Sequence, residues 1–163
     1  MMKESLGRYI TRISKYINYY INKRANNFNL NIKQVHILKT LYTNEGINQE
    51  ELTDMFKSDK VTISKLLNGL VKEGYVEKKK NENDKRVKNL YVTKKGENIK
   101  KEINDILKST TKILASDFTE KENVVIRELL DRMLENIYEE VNTLLFNSFF
   151  FPSTFFKPDN SNN

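Results

Sequence analysis

The stretch from residue 58 to residue 73 carries side chains that can bind a polyanion. Its polar members are short hydroxyls, lysines and one amide, and acids are nearly absent from its exposed face before Glu73. Hydroxyl and ammonium groups bond phosphate oxygens, and an asparagine amide can pair with adenine. An ordinary solvated helix rich in lysine and threonine would explain this stretch, taken alone, equally well. The candidate contacts are Ser58, Lys60, Thr62, Ser64, Lys65 and Asn68.

A second basic group follows around the polar run from residue 81 to residue 87. An arginine at such a tip can enter a minor groove, whose negative potential rises where A·T-rich DNA narrows it. Asp84 stands two residues before Arg86 and can orient the guanidinium through charge-assisted hydrogen bonds. The preceding run, Lys78–Lys80, fits nucleic-acid contact and the protection of an edge strand against aggregation equally well. The candidate contacts here are Asp84, Lys85, Arg86 and Lys88.

The positive charge of the chain is concentrated in one central block. The formal net charge is +6, and residues 57–101 hold fourteen Lys and Arg against six Asp and Glu. The rest of the chain holds fourteen against sixteen. A basic block on a near-neutral body favours a polyanionic partner, with nucleic acid ahead of a membrane surface. A lysine-rich solvated surface accounts for the charge alone as well.

The composition argues against several classes of enzyme and metal site. There is no Cys and a single His, His36, among 163 residues. A disulfide framework, a thiolate nucleophile and a Cys-based zinc site are therefore excluded, and a Ser–His triad has almost nothing to be built from. We expect neither an enzyme nor a cofactor.

The N-terminal residues and the apolar runs predict where the protein resides. No apolar run approaches the roughly 20 residues of a membrane helix. Charged residues interrupt the first twelve positions, so the hydrophobic region of a signal peptide is missing there. We therefore expect a cytoplasmic protein without a membrane partner.

The elements that must position the basic residues follow from apolar spacing and capping residues. The predicted order is α-α-α-α-β-β-α-α, with a helix over 6–28 and a second helix from Ile32 that Gly46 caps. Capping boxes are predicted at Asn31, Asn48 and Thr119. A short helix ending at about residue 56 would place Leu52, Met55 and Phe56 inward. The remaining elements are a helix over 58–73, a hairpin over 75–80 and 88–93, and helices over about 95–115 and from residue 119 to about 145.

The helix over 58–73 follows its predecessor after a tight turn. Its apolar members, predicted on the side opposite the candidate contacts, are Val61, Leu66, Leu67, Leu70 and Val71. When a short turn joins two helices, one face of the second helix is exposed and can enter a major groove. With the basic hairpin as a wing, the predicted fold class is mainly α, a winged helix-turn-helix.

Four segments then resemble the multiple-antibiotic-resistance regulator (MarR) family of winged-helix transcription factors. They are Leu52–Phe56, Val61–Leu66, Leu70–Glu77 and Asp84–Gly96, the last with the pattern D-x-R-x-x-x-L-x-V-T-x-x-G. The resemblance implies a sequence-specific transcriptional regulator that binds a pseudo-palindromic operator of double-stranded DNA as a homodimer, and we expect a repressor. The recognition helix would enter the major groove and the wing the minor groove. Carried over by position, the contacts are Thr62, Ser64 and Lys65 on the recognition helix and Asp84 and Arg86 on the wing.

The resemblance also suggests an effector, because in this family small aromatic molecules often bind between the dimer helices and the DNA-binding lobe. The alternative function is a helical interaction module or co-regulator that lacks sequence-specific DNA binding.

The resemblance covers roughly residues 6–146, so we predict a single domain over 1–146. Its winged helix-turn-helix core spans about 30–96, its dimerisation helices about 5–28 and 97–146, and a Phe-rich tail follows over 147–163. The terminal helices carry more than twenty apolar residues at helical spacing, which a core of about 65 residues cannot bury. Packing against a second subunit would bury them, and two-fold symmetry matches two half-sites. A monomer with a larger helical core is the alternative.

Overall fold

The computed structural model describes residues 4–82 and 84–150. The helices are α1 Leu6–Ala25, α2 Ile32–Leu41, α3 Gln49–Met55, α4 Lys60–Lys72, α5 Lys94–Asn98, α6 Lys100–Leu114 and α7 Glu120–Phe150, with a 3₁₀ turn at Asn26–Phe28. The strands are β1 Val76–Lys80 and β2 Lys88–Val92, between α4 and α5. The predicted mainly helical winged helix-turn-helix is confirmed, and the helix predicted over 95–115 is interrupted at Ile99.

The predicted capping boxes are present at three helix starts. The Asn31 side chain accepts from the Gln34 amide at 3.0 Å, and the Gln34 side chain accepts from the Asn31 amide at 3.1 Å. Asn48 and Glu51 exchange the same pair of bonds. Thr119 and Glu122 do so before α7. Each exchange satisfies two amides that the first turn of a helix leaves without an intrahelical partner.

Two glycines adopt the left-handed backbone, with different consequences. Gly74 has φ 75° just beyond the end of α4, as a helix-ending glycine does. Gly46 has φ 79° but lies beyond Tyr42, the residue that caps α2, so its predicted role as that cap is wrong. The Gly46 amide instead donates to the Leu90 carbonyl at 3.0 Å. Its turn therefore directs the chain toward β2.

A short extended segment joins the hairpin as a further edge. The Leu90 amide donates to the Ile47 carbonyl at 2.8 Å, and Asn48 pairs antiparallel with Asn89. The sequence did not predict this pairing. It attaches β2 to the segment that leads into α3, so the wing is bonded to the start of the helix-turn-helix.

The chain divides into two compact units, one ending at Leu114 and the other beginning at Ala115. The core of the first unit is apolar and draws on every helix from α1 to α4, on both strands and on α6. Its fully buried members include Leu38, Leu52, Leu67, Leu90 and Ile103. One core thus holds α3, α4 and the wing in a single rigid arrangement.

Three residues predicted to face inward are exposed. Val61 is 72% exposed, Met55 53% and Val71 38%, whereas Ile63, which the sequence analysis did not single out, is 1% exposed. Ile63, Leu67 and Leu70 recur at helical spacing and form the buried stripe of α4. Successive residues turn by about 100°, so Val61 lies roughly 200° around the axis from Ile63. Met55 is displaced by the same angle from Thr53, a buried residue of α3.

The second unit is built on α7, which carries a long exposed apolar stripe. Leu130, Leu134, Ile137, Val141 and Leu144 recur at alternating spacings of four and three, each 43% to 66% exposed. Such a heptad repeat is the pattern by which one helix packs against another. Among the described helices, none is both long and apolar enough to cross a membrane.

The predicted Phe-rich tail falls partly outside the described residues. The backbone of residues 147–150 continues α7, which ends at Phe150. Residues 151–163, with the remaining phenylalanines and both prolines, lie beyond the described part of the chain. The domain boundary at residue 146 therefore stays a prediction.

Candidate nucleic-acid interface

The turn before α4 determines how that helix is presented. Lys57 takes the left-handed backbone with φ 45°, and the Ser58 amide donates to the Thr53 carbonyl at 3.3 Å. Asp59 then caps α4, because its carboxylate accepts from the Thr62 amide at 2.8 Å. Hydrogen bonding from the side chain of Thr62, together with that from its backbone amide, lowers the pKa of Asp59. The tight turn lets α4 leave α3 at once, with its buried stripe against the core and its other side in solvent.

Six of the predicted contacts lie on this turn and on α4. Lys60, Lys65 and Asn68 are exposed, while Ser58, Thr62 and Ser64 are half-buried. Lys60 Nζ lies 3.0 Å from Glu50 Oε1 of α3, in a pair whose two side chains are about 70% exposed. Pairs at that exposure contribute little to stability, so Lys60 can exchange the carboxylate for a phosphate.

Asn68 connects α4 to the wing. Its Oδ1 accepts from Lys78 Nζ on β1 at 3.1 Å. The sequence analysis left Lys78 between nucleic-acid contact and edge protection, and the structure shows that it also bonds the amide of Asn68. Asn68 is itself exposed.

The wing is a regular hairpin closed at its tip by short-range hydrogen bonds. Lys80 pairs with Lys88 where the strands end. The Asn81 amide donates to the Val87 carbonyl at 3.0 Å, and the Val87 amide donates to the Asp84 carbonyl at 2.9 Å. The Asp84 amide donates to Asn81 Oδ1 at 3.1 Å. The described residues of the tip are thereby held in a defined loop.

Arg86 projects from that tip and is held by Asp84. Asp84 Oδ1 accepts from the Arg86 backbone amide and from its Nε, both at 3.0 Å, and Oδ2 accepts from Nη2 at 3.0 Å. These bonds lower the pKa of Asp84 and raise that of Arg86. The Arg86 side chain is nevertheless 90% exposed. The guanidinium is therefore oriented on one edge and keeps its other donors in solvent.

Four further lysines of the block differ in whether the protein engages them. Lys79 Nζ is 2.8 Å from Glu77 Oε1 and 5.1 Å from the centre of the Tyr91 ring, so its own hairpin engages it. Within the described part of the chain, Lys65, Lys85 and Lys88 form no salt bridge. Their charges are available to phosphates.

The most exposed apolar residue of α4 is Val61, which the sequence predicts on the buried side. Val61 precedes Lys65 by four residues and Asn68 by seven, so the three share one stripe of α4. This spacing from two polar residues is the sequence signal that indicates an exposed position for Val61. The exposed face of α4 is therefore mixed near its start, where Val61 lies among polar groups.

Known proteins with the same sequence pattern include HTH-type transcriptional regulators. The sequence profile of the MarR family matches residues 30–88. The HTH-type transcriptional regulator YybA of Bacillus subtilis (strain 168) is 30% identical over 130 residues, which cover 80% of this chain and 87% of YybA. The chain belongs to the MarR family.

Solved MarR-family structures agree with this assignment. A MarR transcriptional regulator from Methanosarcina mazei Go1 is 33% identical with a TM-score of 0.75, covering 84% of this chain and 99% of that one. A MarR protein from Peptoclostridium difficile is 30% identical with a TM-score of 0.79, covering 88% and 94%. The family match extends well beyond the helix-turn-helix.

Membership in the MarR family decides the general activity. The chain is a DNA-binding transcriptional regulator, and its family is one of regulators and not of enzymes. MarR-family regulators bind DNA and act as dimers. The family resemblance and the DNA-binding function expected from the sequence are confirmed, and the alternative of an interaction module finds no support in these relatives.

Proposed function

We propose that this MarR-family regulator binds a pseudo-palindromic operator as a homodimer, with α4 in the major groove and the wing in the adjacent minor groove. The observation that carries the proposal is the exposed, acid-poor face of α4, which is bonded to a wing whose arginine is oriented by Asp84. Thr62, Ser64, Lys65 and Asn68 would face the bases and their sugar–phosphate edges. The remaining predicted contacts would position the protein on the sugar–phosphate backbone of the DNA. They are Ser58, Lys60, Lys85 and Lys88.

The homodimer is supported by the apolar surface that the terminal helices expose. On α1, Leu6, Ile10 and Ile13 are 44% to 69% exposed and share one side of the helix. The stripe on α7 described above adds five more residues. An exposed apolar stripe, as each of these two helices carries by itself, marks an interface. Two copies related by a two-fold axis would also present two α4 helices to two half-sites.

A binding titration tests the operator proposal. A DNA site selected from a random pool is titrated by fluorescence anisotropy at several salt concentrations, beside a scrambled duplex. Five cations per subunit (Lys60, Lys65, Lys85, Arg86 and Lys88) predict a slope of log affinity against log salt of about −9 for the dimer. Equal affinity for selected and scrambled DNA would favour the interaction module instead.

Light scattering tests the dimer. Ile137→Glu introduces a glutamate into the apolar stripe of α7. Arg132→Glu introduces a glutamate on the same helix, but roughly 200° around its axis from the middle of that stripe. We expect the first variant to be monomeric and the second to keep the mass of the wild type. A monomeric wild-type protein at micromolar concentration would contradict the proposal.

We also propose repression in the cytoplasm, since a dimer bound at an operator excludes polymerase from an overlapping promoter. A reporter gene behind the selected operator should be expressed more weakly with the wild type than with Arg86→Ala. Stronger expression with the wild type would identify an activator.

A small aromatic effector remains a second proposal, supported by one groove in the first unit. The groove lies between α1 and α6, has a volume of about 430 Å³ and is lined mainly by apolar atoms, with Tyr16, Tyr20 and Leu114 among its walls. That volume is within the range of small-molecule sites. Benzoate should raise the melting temperature of the wild type more than that of Tyr16→Ala. An equal rise in both proteins would remove the groove as the site.

A further inference from the structure

Val61 is an apolar side chain in an unexpected place. It is the second residue of α4 and is 72% exposed. The other aliphatic residues of this helix are buried or half-buried, except Val71 near its C-terminal end, which is 38% exposed. Single exposed apolar residues are common on protein surfaces. Val61, however, lies on the helix that is proposed to contact DNA.

Val61 lies at the N-terminal end of the helix proposed to enter the major groove. Residues at the start of a recognition helix are those that reach into the major groove. Val61 shares its stripe with Lys65 and Asn68, both exposed. The first turn is also held in place, because the Asp59 carboxylate accepts from the Thr62 amide.

The same cap occupies an amide at this helix start. A helix N-terminus commonly binds an anion through its free amides. Here the Asp59 carboxylate already accepts from the Thr62 amide, so phosphate contact at the start of α4 is left to the side chains of Ser58 and Lys60. Val61, between these polar groups, has no role toward a phosphate.

A valine can recognise one feature of the major groove. It has no hydrogen-bond donor or acceptor, and the apolar group displayed in that groove is the C5 methyl of thymine. Its β-branched side chain is also stiff, so fixing it against DNA costs little rotamer entropy. We propose that Val61 is a specificity-determining residue that contacts a thymine methyl in each half-site. The inference rests on the proposed operator binding.

The experiment removes the methyl from the DNA and the valine from the protein. Each thymine of the selected site is replaced in turn by deoxyuridine, which lacks only the C5 methyl, and each duplex is titrated with wild type, Val61→Ala and Val71→Ala. At one thymine position, which occurs once in each half-site, deoxyuridine should weaken wild-type binding by about fourfold. Replacing that thymine in both half-sites should weaken binding by about fifteenfold. Val61→Ala should lose this penalty, and Val71→Ala should retain it.

The outcomes separate this inference from the function on which it rests. If the wild type prefers its selected site but Val61→Ala shows the same deoxyuridine penalties at every thymine, Val61 is an ordinary exposed residue and only the inference fails. If the wild type has no sequence preference, operator binding and the inference fail together. Thermal melting confirms that Val61→Ala is folded, and the deoxyuridine duplexes leave the wild-type protein unchanged.

Discussion

Replacing Arg86 by lysine separates charge from geometry at the wing. Lysine keeps the positive charge but cannot reproduce the two side-chain bonds that Nε and Nη2 make to the Asp84 carboxylate. If an oriented guanidinium reads the minor groove, operator binding by Arg86→Lys should weaken by about tenfold per wing, or about a hundredfold for a dimer. The salt slope should stay near that of the wild type, since the number of cations is unchanged.

Arg86→Ala removes the charge as well. Two wings then neutralise two fewer phosphates, so the salt slope should become less steep by about 1.8. Lys108→Ala, an exposed change on α6, alters the net charge of the protein equally outside the interface and serves as the control. Fluorescence anisotropy over a salt series measures both quantities for each variant.

Two results would refute the reasoning about the wing. Binding of Arg86→Lys within twofold of the wild type would show that the fork between Asp84 and Arg86 has no part in recognition. A salt slope of Arg86→Ala that matches the slope of Lys108→Ala would show that the wing tip does not approach a phosphate.

The remaining predictions concern stability and titration. A Cβ at Gly96 would lie 2.5 Å from the Tyr75 carbonyl oxygen, so Gly96→Ala should lower the free energy of unfolding by about 1–3 kcal/mol in denaturant titrations. Gly7→Ala, where a Cβ meets nothing within 4 Å, should be neutral or stabilising by up to about 1 kcal/mol, and equal losses in both variants would contradict the steric argument. The pKa of Asp84 should lie below its ordinary 3.8 and return toward it in Arg86→Ala, as carbon NMR of the carboxyl group can measure. Because the pKa of Asp84 is lower in the folded state, the stabilisation from the Asp84–Arg86 pair is present above pH 3.8 and disappears as the pH falls through the folded value. An unshifted pKa of Asp84 in the wild type would show that the pair is absent in solution.

Several features of the interface were evident from the sequence because they depend on neighbours along the chain. The capping boxes join residues three positions apart, and Asp84 and Arg86 are two positions apart. The hairpin and the helices around it follow from periodicity and from turn residues, which also act over short distances. The sequence alone therefore predicts the order of helices and strands, the basic block and the family pattern.

Other features required the tertiary structure because their partners are distant in sequence. Which side of α4 is buried depends on the core formed with α2, α3 and β1. That packing leaves Val61 exposed and buries Ile63, a residue that the sequence analysis did not single out. The pairing of Ile47 with Leu90 and the bond from Lys78 to Asn68 join segments that only folding brings together. Local periodicity established that α4 has an apolar stripe, but only packing against the rest of the core determined which apolar residues belong to it.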